Sequence, residues 1–256
     1  MAIYLLKKSY LHKNLNEIKF DNLWDSNGVF TTMWIFGKPA KILFFKQHIK
    51  NLIKSIKIYK LYQKNIEKNI LKLIKLNLKK NFKYNHLLRV AINNKKISIS
   101  LRKRIKPNLK FNIKLVDYKR IEPEFKNLKY KQIIKYLSSM NTSKADIALC
   151  VNKKILESGT SNILFVSNNQ IYSPTRGFYR GITLNFFESK LGEIKKKDIF
   201  IECIKEYEEI ILIGSGKGVA SVNSISNIKW KRKSLKFYKI LLNLYKSEIS
   251  KCSIFK

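Results

Sequence analysis

The run Glu157-Ser158-Gly159-Thr160-Ser161-Asn162-Ile163-Leu164-Phe165-Val166 sets one acid and a knot of small polar residues just ahead of an unbroken apolar stretch. The apolar part reads as a buried strand. A carboxylate entering such a strand is costly unless a charged or protonated group meets it. The protonated ring nitrogen of a bound heterocycle is one such partner. An ordinary strand start with turn residues is the plainer reading, and spacing alone leaves both open. Two glycine-bearing turns lie in the same half of the chain. Gly181-Ile182-Thr183 sits at a loop-to-helix junction, where free N–H groups and the helix dipole favour an anion and Thr183 adds a hydroxyl. Gly214-Ser215-Gly216-Lys217-Gly218 follows a strand and is suited to a backbone nest. It has neither the Walker order nor the dinucleotide fingerprint. Each turn has an ordinary reading as well, a helix start and a Gly-rich turn.

The elements that must position these residues are legible in outline. Residues 1–8 and 28–36 read as strands, with a turn at Gly37-Lys38-Pro39 and a further apolar run at 42–45. Helical stripes follow at Ile49, Leu52, Ile53, Ile56 and at Ile66, Ile70, Leu71, Ile74. Strand-like runs at 87–92, 97–101 and 111–118 complete a first domain, 1–118, expected to be a two-layer α/β unit. Residues 119–125, with Pro123 and no period, read as a linker. A helix is expected over 127–141, then a hairpin through Asn152-Lys153-Lys154, another turn at Asn168-Asn169, a helix opened by Gly181, a strand at 209–213 and a closing helix. Residues 126–256 form the expected second domain.

Composition narrows the partners. The net charge of +36 would suit a polyanion, but the excess is nearly all lysine. The arginines are Arg89, Arg102, Arg104, Arg120, Arg176, Arg180 and Arg232. Lys, Asn and Ile are inflated together, as A/T-rich codons would make them, so only nonspecific, salt-sensitive contact with nucleic acid is expected. Cys150, Cys203 and Cys252 are odd in number and lack metal spacing, and His12, His48 and His86 are isolated. A reducing, cytoplasmic setting without metal is expected, with Cys150 buried in a strand. No run approaches the ~18 apolar residues of a membrane span.

The ordered motifs resemble the class IV aminotransferases, pyridoxal-phosphate enzymes of fold type IV. That family carries an acid ahead of Ser/Thr-Asn-Ile/Leu-Phe, matched by Glu157 and Ser161-Asn162-Ile163-Leu164-Phe165. Pro and Gly-Ile-Thr follow, matched by Pro174 and Gly181-Ile182-Thr183, and then a Gly-Thr-Ala-like turn, matched by Gly214-Ser215-Gly216. Asp-Gly-Val-Phe-Glu-Thr near the N-terminus is matched by Asn27-Gly28-Val29-Phe30-Thr31-Thr32, and the His-Leu-x-Arg-Leu helix by His48-Ile49-Lys50-Asn51-Leu52.

The resemblance implies a two-domain fold type IV enzyme, an N-terminal two-layer α/β domain followed by a β-barrel-like α/β domain. It implies pyridoxal 5'-phosphate as cofactor, an amino-group substrate and a homodimer. It implies a Schiff-base lysine at the start of the helix after the linker. Lys126 fits Lys-x-Leu-x-Tyr without a gap, with Lys129 as the alternative. Glu157 would face the pyridine nitrogen. Ser161, Asn162, Gly181, Ile182, Thr183, Ser215 and Gly216 would surround the cofactor. The family's phosphate-binding Arg is Asn51 here, an amide in place of a bidentate charge, with Lys50 or Lys54 at hand to compensate. Phe30, Thr32 and Trp34 are substrate-pocket candidates, with Met33 beside them. The short chain and Phe30-Thr31-Thr32 lean towards 4-amino-4-deoxychorismate lyase. A D-amino-acid or branched-chain transaminase is the main alternative, and a non-catalytic basic RNA-binding protein on the same fold a distant one.

Overall fold

The structure is a computed structural model that describes residues 3–61 and 63–255. By internal contacts the chain divides into two units. The first comprises Met1–Arg104, Phe125–Lys131 and Cys252–Lys256, the second Ile105–Glu124 and Gln132–Lys251. Segment 125–131, with both candidate lysines, therefore groups with the N-terminal strands.

The first unit holds β1 (Tyr4–Leu11), β2 (Glu17–Ile18), β3 (Gly28–Gly37), β4 (Lys41–Ile42), α1 (Phe45–Ile58), α2 (Ile66–Asn77), β5 (Tyr84–Asn93) and β6 (Lys96–Lys103). Residues 1 and 2 of the expected first strand lie outside the described residues. The strands make one antiparallel sheet in the order β2-β1-β6-β5-β3-β4. β3 is rich in β-branched and aromatic residues, and its alternation assigns its two faces. Val29, Met33 and Ile35 join Ile49, Leu52 and Ile56 of α1 and Ile66, Ile70 and Leu73 of α2 in one core. Phe30 belongs to a separate cluster with Leu23, Ala91 and Leu128. Only Ile42 of the apolar run at 42–45 joins a strand, because Phe44 turns the chain at φ 55° and α1 begins at Phe45.

The second unit holds β7 (Phe111–Asp117), α3 (Lys131–Ser138), β8 (Ala145–Val151), β9 (Lys154–Ser158), β10 (Asn162–Ser167), β11 (Gln170–Ser173), α4 (Ile182–Leu191), β12 (Lys195–Lys196), β13 (Ile199–Phe200), β14 (Glu209–Gly214), β15 (Gly218–Ile225), β16 (Trp230–Lys231) and α5 (Lys236–Ser250). Its mixed sheet runs β12-β11-β10-β14-β15-β7-β8-β9-β13, with β16 on β15. β7 pairs in parallel with both β8 and β15, while β8–β9, β10–β11 and β14–β15 are hairpins. The first two of these turn through paired left-handed residues, Asn152-Lys153 and Asn168-Asn169, the geometry that suits a tight hairpin. Glu209, fully buried at the start of β14, caps α5 by accepting the backbone N–H groups of Phe237 and Tyr238, each at 2.9 Å. Among the described residues no helix is long and apolar enough to cross a membrane.

The helix expected over 127–141 is only Lys131–Ser138. Residues 126–130 use their backbone groups on β3 instead. Lys126 O accepts from Phe30 N at 2.9 Å, Leu128 N donates to Gly28 O at 2.9 Å, and Val29 and Asn127 form an isolated antiparallel bridge. Burial of Leu128 among Leu23, Phe30 and Ala91 outweighs helix propensity here. Gly28 makes the approach possible: a Cβ there would lie 2.3 Å from Ile92 O and 2.6 Å from Leu128 Cδ1. We expect Gly28→Ala to destabilise the protein by about 1–3 kcal/mol through overpacking. The urea unfolding midpoint checks this, and an unchanged midpoint would mean that segment 125–130 does not dock on β3.

Candidate active site

Glu157 ends β9 as a buried carboxylate, 5% exposed. Its nearest protein partner is Arg120, itself 3% exposed, whose Nε donates to Oε1 at 2.6 Å. Arg120 Nη2 also donates to Pro123 O at 2.5 Å and reaches Oε2 at 3.4 Å. Tyr179 N meets the same Oε2 at 3.4 Å. The acid thus enters the apolar strand with a permanently charged, hydrogen-bonded partner, as desolvation demands. Sequence reasoning placed Arg120 in a linker and gave it no role. Its scarcity was the available signal: an arginine in a lysine-rich chain marks a place where a planar fork is needed.

Ser161 and Asn162 stand between the two glycine turns. Asn162 Oδ1 accepts from Gly181 N at 3.1 Å, and its Nδ2 donates to Tyr179 O at 2.6 Å. A Cβ on Gly181 would lie 2.5 Å from Asn162 Oδ1, so the close approach needs glycine. α4 opens at Ile182 with no side chain capping it, which leaves its first-turn N–H groups for a ligand. Thr183 is 1% exposed, and its Oγ1 is buried without a hydrogen-bond partner among the described residues. An orphaned hydroxyl beside uncapped helix amides fits the phosphate of pyridoxal phosphate. On the other side, a Cβ on Gly214 would lie 3.1 Å from Ser161 Cβ. Ser215 and Gly216 occupy the β14–β15 turn, closed by the Gly214–Gly218 pair with Gly218 at φ 75°. The expected nest is therefore a tight hairpin turn held against Ser161. Glu157, Ser161, Asn162, Gly181–Thr183 and the 214–216 turn come together in this unit.

The first unit carries the lysines. Lys126 Nζ lies 5.1 Å from the centroid of the Phe30 ring, whereas Lys129 Nζ donates to Asp25 O at 3.1 Å. His48 on α1 is 4% exposed, with Nδ1 2.7 Å from Thr31 Oγ1. Burial, and then the nearby charge of Lys126, push its pKa down to about 3. Asn51 is half-buried on the same helix. Among the pocket candidates, Met33 is fully buried in the helix-facing core. Thr32 is half-buried, and Trp34 packs against Phe36 with Arg104 4.0 Å from its ring. Phe30 instead meets Trp24 and Tyr130, with ring centroids 5.0 and 5.4 Å away.

Sequence reasoning missed Arg89, which completes this aromatic group. Its guanidinium lies 3.6 Å from the Trp24 ring centroid and donates through both Nη atoms to Asn22 O. Its Nε is buried without a hydrogen-bond partner, and among the described residues no carboxylate pairs with it. Burial pushes its pKa down to about 9, still a cation at neutral pH. Among the described residues no cluster of His, Cys, Asp or Glu is placed to hold a metal ion.

Residues 28–225 match the family described as amino-transferase class IV. No curated protein matches the chain. Among solved structures, a branched-chain aminotransferase from Thermoproteus uzoniensis with norvaline superposes with a TM-score of 0.71 at 17% identity, over 99% of each chain. A candidate 4-amino-4-deoxychorismate lyase from Legionella pneumophila gives 0.69 at 16% identity, over 87% of this chain and 91% of that one. An aminotransferase from Brucella abortus bound to the cofactor PLP gives 0.71 at 15% identity, over 96% and 99%. At these identities the structures share the fold, fold type IV.

Two outcomes follow from the buried charges. Arg120→Leu strands Glu157 without its partner and should cost about 3–5 kcal/mol of stability, read from urea unfolding. A stability close to wild type would show that the pair is not formed. His48 is neutral when folded down to about pH 3 and accepts a proton near the ordinary imidazole value of 6.5 when unfolded. The unfolded state therefore binds more protons between these values, and stability falls as pH drops from 6.5 towards 3. The slope from this group approaches about 1.4 kcal/mol per pH unit. His48→Gln should flatten the stability–pH curve by that amount in this window and leave it unchanged above pH 7.

Proposed function

Because the chain belongs to the class IV amino-transferase family, we propose that it is a 4-amino-4-deoxychorismate lyase, releasing 4-aminobenzoate and pyruvate. Its cofactor is the family's, pyridoxal phosphate. The observation that carries the cofactor assignment is the orphaned Thr183 Oγ1 beside the uncapped start of α4, with Asn162 tying that turn to the Glu157 strand. Support for the substrate is the Arg89 guanidinium, without a carboxylate partner in an aromatic group of Trp24, Phe30 and Tyr130. A cation beside aromatic faces suits a six-membered-ring carboxylate, held by charge at one edge and by stacking on its faces.

When bound, the cofactor supplies an electron sink for the carbanion formed at the amino-bearing carbon of the substrate. The chain's own residues do the rest. Thr183 Oγ1, the N–H groups of Ile182 and Thr183, and the Ser215–Gly216 turn would hold the phosphate. Glu157, kept in place by Arg120, would hold the proton on the ring nitrogen. Lys126 would take the proton from the amino-bearing carbon and, as the ring C–O bond breaks and the ring becomes aromatic, give it to the departing enolpyruvate, which leaves as pyruvate. Its place over Phe30 beside the neutral His48, where Lys129 instead donates to Asp25 O, supports Lys126 as that base. Asn51 would give the phosphate at most an amide hydrogen bond.

A branched-chain or D-amino-acid transaminase would use the same residues and differ in where the proton returns. A reducing, cytoplasmic setting is proposed from the odd number and wide spacing of the three cysteines. A homodimer is proposed from the family resemblance.

Incubation with 4-amino-4-deoxychorismate should release 4-aminobenzoate and pyruvate in equal amounts. Keto-acid-dependent amino transfer without pyruvate release would replace the lyase assignment with a transaminase. Borohydride reduction of the holoenzyme should attach the cofactor to the peptide carrying Lys126. Lys126→Ala should abolish this attachment and lower activity by at least about a hundredfold. Attachment at Lys129 would overturn the choice of lysine.

A further inference from the structure

Asp146, at the start of β8, and Lys217, in the β14–β15 turn, form a buried ion pair. Lys217 Nζ lies 3.1 Å from Asp146 Oδ2, with side chains 10% and 0% exposed. The carboxylate is also a hub. Oδ1 accepts from Ile147 N at 2.8 Å, and Oδ2 accepts from Ser158 Oγ at 3.1 Å and Thr160 Oγ1 at 3.0 Å. Ser158 Oγ lies 2.7 Å from Ser161 Oγ and accepts from Ser161 N at 3.0 Å. One buried acid therefore fixes the 158–161 loop and, through Lys217, the turn that carries Ser215 and Gly216.

We propose that the Asp146–Lys217 pair is a positioning device for the cofactor phosphate, locking the Ser215–Gly216 turn against the Ser161 loop so that the turn presents its hydrogen-bond donors to the anion. This rests on the cofactor reading above. Three observations favour it over general stability. The pair joins two segments that both border the candidate site, since Gly214 already packs on Ser161. A buried pair replaceable by apolar packing offers little net stability, and its better-attested use is to fix geometry. Asp146 also accepts from Ser158 and Thr160, so one end of the pair is fixed in the 158–161 loop and the other in the turn. Lys217 acts by position here, because its ammonium is engaged by Asp146 and lies 5.1 Å from the Phe111 ring centroid.

The test compares two ligands. Pyridoxal phosphate and, separately, pyridoxal are titrated into wild type, Lys217→Met, Lys217→Arg and the double variant Asp146→Asn/Lys217→Met, followed by ligand absorbance and protein fluorescence. Lys217→Met should weaken pyridoxal phosphate about tenfold, the scale of one charge-assisted hydrogen bond, and change pyridoxal by less than about twofold. Lys217→Arg should recover most of the loss. The double variant leaves no uncompensated buried charge, so it should fold if the single variant does not, and show the same phosphate-specific loss. Equal weakening of both ligands, or a folded double variant with unchanged preference for the phosphate, overturns the proposal. A wild type that binds neither ligand overturns the proposed function instead, which keeps the two failures distinct.

Discussion

A carboxylate is buried within β9, just ahead of the apolar strand β10, and the second unit is arranged around the need to keep it there. Glu157 is buried, and Arg120 meets it with a 2.6 Å charge-assisted bond while also holding Pro123 O. A lysine could not make the same forked contact. The pair fixes the end of β9, and β9 fixes the loop that follows. Ser161 then lies against Gly214, and Asn162 reaches Gly181. Two turns far apart in sequence are set on either side of one strand entry. Neither would be a convincing anion site alone, but together with the acid they describe a ligand with a basic ring and a phosphate.

The first unit solves a different problem. It has to order a segment without secondary structure of its own, the one that carries Lys126 and Lys129. Residues 126–128 borrow order from β3 through two backbone bonds and the burial of Leu128. Gly28 removes the side chain that would block this approach. The fully buried His48, locked by Thr31, gives the lysine a neutral neighbour. A second cation there would make holding a charged amine costlier.

Much of this was legible in the sequence because it depends on local pattern. The β-branched run at 28–36, the stripes of α1 and α2, the Asn-rich hairpin turns and the helix start after Gly181 each announce themselves through period or turn chemistry. The motifs around Glu157, Gly181 and Gly214 were legible as an ordered set, and the fold brings them together in the second unit. What stayed hidden depends on distant partners. Arg120 looked like linker, because its role exists only once β9 lies beside it. The apolar phase of 127–141 predicted a longer helix, because nothing local reveals that β3 takes up residues 126–130. Met33 and Phe30 are neighbours of similar type, and only strand alternation against α1 and α2 separates core from aromatic group. Arg89 and Asp146 were given no role, and Lys217 was read only as part of a glycine-rich turn, in a chain of net charge +36. In such a background the scarce arginines and the buried acids were the better signal.

The central claim is that Glu157, held by Arg120, keeps the ring nitrogen of the cofactor protonated. The most direct measurement is the nitrogen-15 NMR shift of ring-labelled pyridoxal phosphate bound to the protein. The account predicts a protonated-nitrogen signal in wild type that moves to the unprotonated position in Glu157→Gln. An unprotonated nitrogen in wild type, or a protonated one that survives the substitution, would contradict it.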